Sequence, residues 1–306
     1  MVPPEGSRSA GSLSADPRWP RAGDWPAPTG DSARDGAIDL ALVGLPTYAT
    51  SLSATHANET PAAVRAGLRY YSEFTDRPLD LRFADFGDAH DPDGDEDAAT
   101  ALIARAAAVS RLVVALGGDN AATVPAALGT WGTRIATAGL VTLDAHHDLR
   151  DGRSNGSPVR RLVEAGLAGT RIVQVGIADF ANSADYAARA ADYGITVIRR
   201  DALHGRPMDD VMAEAVEVAG AAGGPIHVDF DVDVCDRSVA PACPASLPGG
   251  LAAHELRAAV RAATTHGAVE SIDFAEVDAT ADTPDARTIR LVALCVLEAA
   301  AGLAAR

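Results

Sequence analysis

Leu143-Asp144-Ala145-His146-His147-Asp148 brings two carboxylates and two imidazoles into six residues. An apolar run over 138–143 leads in, and a polar, glycine-containing segment over 150–158 leads out. That pattern is a buried strand ending in a loop. Side chains alternate along an extended chain, so Asp144, His146 and Asp148 are expected on one side. Carboxylate oxygen with a little imidazole suits a divalent cation such as manganese. A second stretch, Ile226-His-Val-Asp-Phe-Asp-Val-Asp233, is another short apolar strand that turns acidic. Asp229, Asp231 and Asp233 form one alternating row, and Asp236 follows shortly. A row of buried like charges is costly unless a cation compensates it. Two acidic strand ends, far apart in sequence, therefore point to one shared metal site. The plainer alternative, a pair of solvated polar loops, is opposed by the apolar lead-ins.

The elements that must carry these motifs alternate. Strands are expected over 38–44, 81–86, 111–116, 140–143, 171–176, 195–198, 226–230 and 269–277. Helices are expected over 61–70, 98–109, 121–128, 159–166, 183–193, 207–222, 252–265 and 286–304, with Thr60 as an N-cap for the first and Pro61 in its first turn. This order means βαβ units and a mostly parallel sheet covered by helices on both faces. Sites in such sheets form at the carboxyl ends of strands. Gly117-Gly118-Asp119-Asn120, the Asp144 motif, the Asp231 motif and the segment around Glu276 all follow strands, so all four are candidates for one crevice.

Length and composition bound the rest. The 306 residues are divided into a flexible arm over 1–36, rich in Pro, Gly and Ser, and a single α/β domain over 37–306. Apolar content of 47% suffices for a core. A net charge of −16 argues against nucleic acid and anionic membrane as partners. Cys235, Cys243 and Cys295 show no CxxC spacing, which with no signal peptide suggests a reducing cytoplasm. No apolar run approaches a membrane span.

Taken in order, Gly117-Gly-Asp-Asn120, Asp144-Ala-His-His-Asp148, Asn155-Gly-Ser-Pro158, Phe230-Asp-Val-Asp233 with Asp236, and Asp273-Phe-Ala-Glu276 resemble the ureohydrolase family of arginase, agmatinase and formimidoylglutamase. The resemblance runs from about residue 38 to the end of the chain. It implies a three-layer α/β/α, arginase-like fold and a bridged pair of Mn2+ ions. By similarity Asp144 and Asp231 bridge the ions. Asp148 completes one shell, and His146 with Asp233 the other. Water activated by the metals attacks an amidine or guanidine carbon, and Glu276 holds the cationic nitrogens of the substrate. Two departures stand out. Asn120 occupies a position that is usually His, where an amide oxygen is the poorer ligand. Asn155 replaces a proton-relaying His, so the general acid is expected to be water, Asp148 or another His.

Within the family the chain is most similar to formimidoylglutamases, which also lack the relay His and favour Arg at the position of Arg150. The activity implied is hydrolysis of N-formimidoyl-L-glutamate to L-glutamate and formamide. Arg150 is expected to take a substrate carboxylate, with Arg153, Arg160 and Arg161 as further candidates, and Asn155 and Asn182 to contact the substrate. An agmatinase or other guanidino hydrolase releasing urea is the alternative, in which Asp179 suits a cationic tail. A non-catalytic, metal-poor relative is the third reading. Family resemblance also implies a homo-oligomer, trimer or hexamer.

Overall fold

The computed structural model describes residues 16–29 and 37–306. Along the chain run β1 (Ile38–Leu45), α1 (Thr60–Leu68), β2 (Phe83–Asp88), α2 (Glu96–Ala107), β3 (Ser110–Gly117) and α3 (Thr123–Trp131). Next come β4 (Gly139–Leu143), α4 (Pro158–Glu164), β5 (Ile172–Ile177), α5 (Ala184–Asp192) and β6 (Thr196–Arg199). The chain closes with α6 (Met208–Ala219), β7 (Ile226–Asp231), α7 (Ala253–Thr265), β8 (Val269–Ala275) and α8 (Arg287–Leu303). The strands form one eight-stranded sheet in the order β2-β1-β3-β8-β7-β4-β5-β6. Every pairing in it is parallel.

The strands read as unbroken apolar runs because both faces are buried. In β1, Leu40 and Leu42 enter one core cluster and Ala41 and Val43 the other. On one face α1, α8, α7 and α6 pack side by side, and on the other α2, α3 and α4 do. This is the expected three-layer α/β/α arrangement. Deviations at element ends are small, with one instructive exception. Thr60 lies inside α1 rather than at its N-cap, since a 3-10 turn, Ala57–Glu59, runs straight into the helix. Its hydroxyl instead donates to the Val277 carbonyl at 2.5 Å, tying the helix start to the end of β8.

Of the stretch expected to be a flexible arm, residues 1–15 and 30–36 lie outside the described residues. Residues 16–29 lie against the body of the fold: Trp25 stacks on Phe83 at 4.5 Å, and its indole N–H donates to Glu73. Ala22 is buried beside Leu68. One large aromatic with a polar partner is enough apolar area to hold a Pro- and Gly-rich strap down.

The strands bearing the motifs, β3, β8, β7 and β4, are the four adjacent strands in the middle of the sheet. The carboxyl ends of β4, β7 and β8 open into one cavity of about 290 Å³, and the turn after β3 lies behind it, with Asn120 against Asp148 and Glu276. The first glycines of the Gly-Gly-Asp turn permit this closeness. A Cβ on Gly118 would run into the Thr47 carbonyl, whose neighbouring loop forms part of the rim.

Candidate metal centre and substrate cavity

The floor of the cavity is a knot of acids. Ligand-capable atoms of Asp144, His146 and Asp233 lie within 4.8 Å of one another, and so do those of Asp144, Asp148 and Asp231. The two groups share Asp144. The aspartates are buried and His146 is half-buried. His146 Nδ1 stands 2.9 Å from Asp233 and 3.4 Å from Asp144.

Convergence is achieved differently from the expectation of strand alternation. β4 ends at Leu143, and residues 144–149 form a loop in which Asp148 adopts a left-handed backbone (φ 52°). Asp233 sits in a 3-10 turn, Val232–Val234, beyond β7. The reason is distance. Side chains four residues apart on an extended strand stand roughly 13 Å apart, too far to share one ion. The loop and the turn curl them inward, and Asp144 and Asp231 stabilise the curl by accepting the N–H of His146 and Asp233.

Electrostatics shows what the floor lacks within the protein. Burial first, and Asp233 second, hold the Asp144 carboxyl up at about 6. Burial and neighbouring carboxylates push Asp148 and Asp231 well above the ordinary range. Burial opposes a charged imidazole at His146, but Asp144 and Asp233 outweigh it and raise the group to about 12. His146 thus pairs with Asp233 and, at 3.4 Å, with Asp144, while buried Asp148 and Asp231 have no cation beside them among the described residues. Asp229, fully buried in the row below, has no hydrogen-bond partner for either oxygen. A donor set of buried Asp oxygens and one imidazole fits hard-to-intermediate divalent ions such as manganese, whose charge would replace the missing compensation.

Glu276 also has a left-handed backbone (φ 63°) and enters the same cavity. Its Oε1 accepts from the Asn120 backbone N–H at 2.8 Å and from Asn155 Nδ2 at 2.7 Å. Its Oε2 has no hydrogen bond among the described residues. Burial, then the charge of Asp119, raises it to about 8. Of the five non-glycine residues at positive φ among the described residues, two, Asp148 and Glu276, lie at this site.

The remaining expected residues divide. Asn155 lines the cavity, yet its amide is engaged at both ends, by Glu276 and by the Leu52 N–H. Arg150 lines the cavity with its guanidinium unpaired among the described residues. Arg153 and Arg161 bind Glu96, and Arg160 binds Glu164 and the carbonyls of Arg150 and Gly152, so these three brace loops. Asn182, expected to contact the substrate, is tied to the backbone of the neighbouring loops. Although it lines the cavity, its amide oxygen accepts from His147 N–H and its nitrogen donates to the Ala145 and Ala178 carbonyls. Both N–H groups are used and the oxygen accepts one bond, so the side chain holds the loop over 144–149 in place. Asn120 was expected to offer an oxygen; as placed, its nitrogen faces Asp148 at 2.6 Å and its oxygen meets Thr123. Asp236 organises the following loop through Ser238 and Gly249.

Sequence reasoning missed Gln174, Thr123, His227 and Ser271. His147 Nδ1 is held by Gln174 from β5 at 2.7 Å, and Gln174 donates back to the His147 carbonyl. Thr123 bridges Asn120 and Asp273. Its position three residues after Asn120, at a helix start, was the signal available. His227 and Ser271 complete a buried polar row under the site.

Residues 38–302 match the arginase family. The chain belongs to the arginase family. An arginase-family chain of this length is similar to the formimidoylglutamase of Halalkalibacterium halodurans, 33% identical over 79% of this chain and 80% of that one. It is 32% identical to the Bacillus subtilis formimidoylglutamase over 86% of each. The crystal structure of formimidoylglutamase from Bacillus subtilis superimposes with a TM-score of 0.87 at 28% identity, covering 97% of this chain and 96% of that one. The expected family, fold and hydrolase class are borne out. Among the described residues no helix is long and apolar enough to cross a membrane.

Proposed function

We propose that this arginase-family enzyme hydrolyses N-formimidoyl-L-glutamate, with water, to L-glutamate and formamide. The observation that carries the substrate is one cavity holding the acid floor, the unbonded Oε2 of Glu276 and the unpaired guanidinium of Arg150. The substrate has an amidine at one end and carboxylates at the other, so it needs an acid and a base in the same pocket. Asp179, the acid that would suit a cationic tail, is paired with Arg199 and lines a neighbouring cavity.

Asp144, His146, Asp148, Asp231 and Asp233 would hold a pair of Mn2+ ions. When bound, the metal pair supplies Lewis-acid activation of water at neutral pH. Glu276 receives the amidinium N–H groups on Oε2, while Asn155 and the Asn120 backbone hold Oε1 and fix the carboxylate plane. A cationic amidine returns Glu276 to its charged form by supplying the missing opposite charge. Arg150 takes a carboxylate through its planar fork and sets the distance from the tail to the reacting carbon. The bond between that carbon and the glutamate nitrogen breaks, and the departing amine needs a proton. Asn155 has none to give, so Asp148 or water supplies it.

Three free, buried cysteines support a reducing, cytoplasmic setting. The family resemblance carries the expectation of a trimer or hexamer, which light scattering checks. The deciding experiment incubates the chain with manganese and N-formimidoyl-L-glutamate and resolves the products. Formamide and glutamate in equal amounts are expected. No turnover, with urea released from agmatine or guanidinobutyrate, would move the assignment to a guanidino hydrolase. Inactivity on all of these, with no metal bound, would leave the non-catalytic relative.

A further inference from the structure

A run of hydrogen bonds leads from the cavity floor into the sheet. Asn120 Nδ2 lies 2.6 Å from Asp148 Oδ2, and Asn120 Oδ1 lies 2.6 Å from Thr123 Oγ1. Thr123 Oγ1 is 3.1 Å from Asp273 Oδ2. Asp273 Oδ1 is 2.8 Å from His227 Nε2, whose Nδ1 is 2.7 Å from Ser271 Oγ. Every side chain in the run is buried, and Thr123, His227, Ser271 and Asp273 are fully so.

The run contains a conflict of roles. A hydroxyl carries one proton, yet Thr123 Oγ1 faces two oxygens, on Asn120 and on Asp273. It can donate to only one of them. The nitrogen and oxygen of a carboxamide occupy nearly the same space, so turning the amide over about its last bond costs nothing sterically. Turned, Asn120 donates to Thr123, Thr123 donates to Asp273, and the amide oxygen faces Asp148. Every contact from Asn120 to Asp273 is then a donor meeting an acceptor, and each bond polarises the next. The repulsive contacts left are those of the amide oxygen with Asp148 and with buried Asp229, which the Asn120 nitrogen otherwise favours, and a cation held by Asp148 converts them into attraction.

We propose that Thr123 and Asp273 are positioning residues that turn the Asn120 amide oxygen toward the ion held by Asp148, and so determine how tightly that ion binds. The inference rests on the metal reading above. It assigns a purpose to a buried Thr-Asp-His-Ser row that the hydrolytic steps leave unused. It also explains how an amide, a weaker donor than imidazole, can serve at this position: the Asp273 carboxylate pulls on its N–H through the hydroxyl and enriches its oxygen.

The test measures Mn2+ binding by equilibrium dialysis with metal analysis, on the full chain. Wild type is expected to take two ions. Thr123→Val removes the hydroxyl with little change of shape. It should weaken one ion by on the order of tenfold to a hundredfold, the usual reach of groups behind a ligand, and leave the other unchanged. Thr123→Ser, which keeps the hydroxyl, should restore wild-type binding. On an Asn120→Ala background Thr123→Val should have no further effect, because the two act through one amide. Unchanged affinity in Thr123→Val, equal weakening of both ions, failure of the serine to rescue, or full additivity with Asn120→Ala would each overturn the proposal. A wild type that binds no divalent ion sinks the metal reading with it. Two tight ions in both wild type and Thr123→Val sink this inference alone.

Discussion

Stripping divalent ions with a chelator and raising the pH from about 5.5 to about 8 should destabilise the protein. In the folded chain burial, then Asp233, holds Asp144 up at about 6, and burial, then Asp119, holds Glu276 at about 8. Asp148 and Asp231 also stand well above the ordinary range. In the unfolded chain such carboxyls lose their protons near pH 4. The folded state therefore carries more protons than the unfolded state across this window, and stability falls as pH rises. Stability from these groups is complete below their unfolded values and is lost as pH climbs through the folded ones. His146, raised from 6.5 to about 12, adds the same sign above 6.5. Asp233 is lowered from 3.8, so its opposite contribution is lost only as pH falls below that value. One excess proton sustained over about 2.5 pH units amounts to roughly 3 kcal/mol, at 1.36 kcal/mol per unit. Against a total of about 5–15 kcal/mol, that is a melting shift of roughly 5–10 °C. Calorimetric or circular-dichroism melts in chelator at the two pH values read it directly. Manganese should reverse the trend, because protons compete with the ion for the same oxygens at low pH. A metal-free melting temperature that is flat or climbs between the two pH values would refute the reasoning, as would manganese stabilising equally at both.

Asp231→Ala should abolish turnover and lower the melting temperature in manganese but not in chelator. Saturating metal contributes about 2.7 kcal/mol at a hundredfold excess over Kd, and equal losses in both conditions would make Asp231 structural. Arg150→Ala should raise KM by roughly 10- to 100-fold, the worth of a charged hydrogen bond of about 1.5–3 kcal/mol, with kcat little changed. A KM that hardly moves removes Arg150 from the carboxylate. Asn182→Ala should cost roughly 1–3 kcal/mol of stability by orphaning backbone groups of Ala145, His147 and Ala178. An unchanged melt with a raised KM would return Asn182 to the substrate.

Legibility varied with the length scale of the interaction. Alternating apolar runs and punctuating glycines are local, so strands and helices were placed to within a few residues. The acids were legible because Asp144, Asp148, Asp231, Asp233 and Glu276 lie at or just beyond the ends of apolar strands, where burial makes uncompensated charge costly. Asn182 and Asn155 were not legible in role. An amide's partners are set by which loop folds beside it, and here Ala145, His147 and Ala178 surround one, Leu52 and Glu276 the other. The strap at Trp25 was hidden for the same reason, since Phe83 and Glu73 lie some fifty residues away.

By itself the sequence determined the layered parallel sheet, the family and the identity of the acids at strand ends, because periodicity and residue chemistry are properties of the chain alone. Only the tertiary structure decided that β3, β8, β7 and β4 stand side by side, so that the ends of β4, β7 and β8 share one cavity and the turn after β3 backs it. It also decided that a left-handed turn at Asp148 and a 3-10 turn at Asp233, rather than strand alternation, draw the ligand atoms within reach of an ion. It alone left Arg150 free while tying down its neighbouring arginines, since pairing depends on which opposite charge the fold brings within a few ångströms.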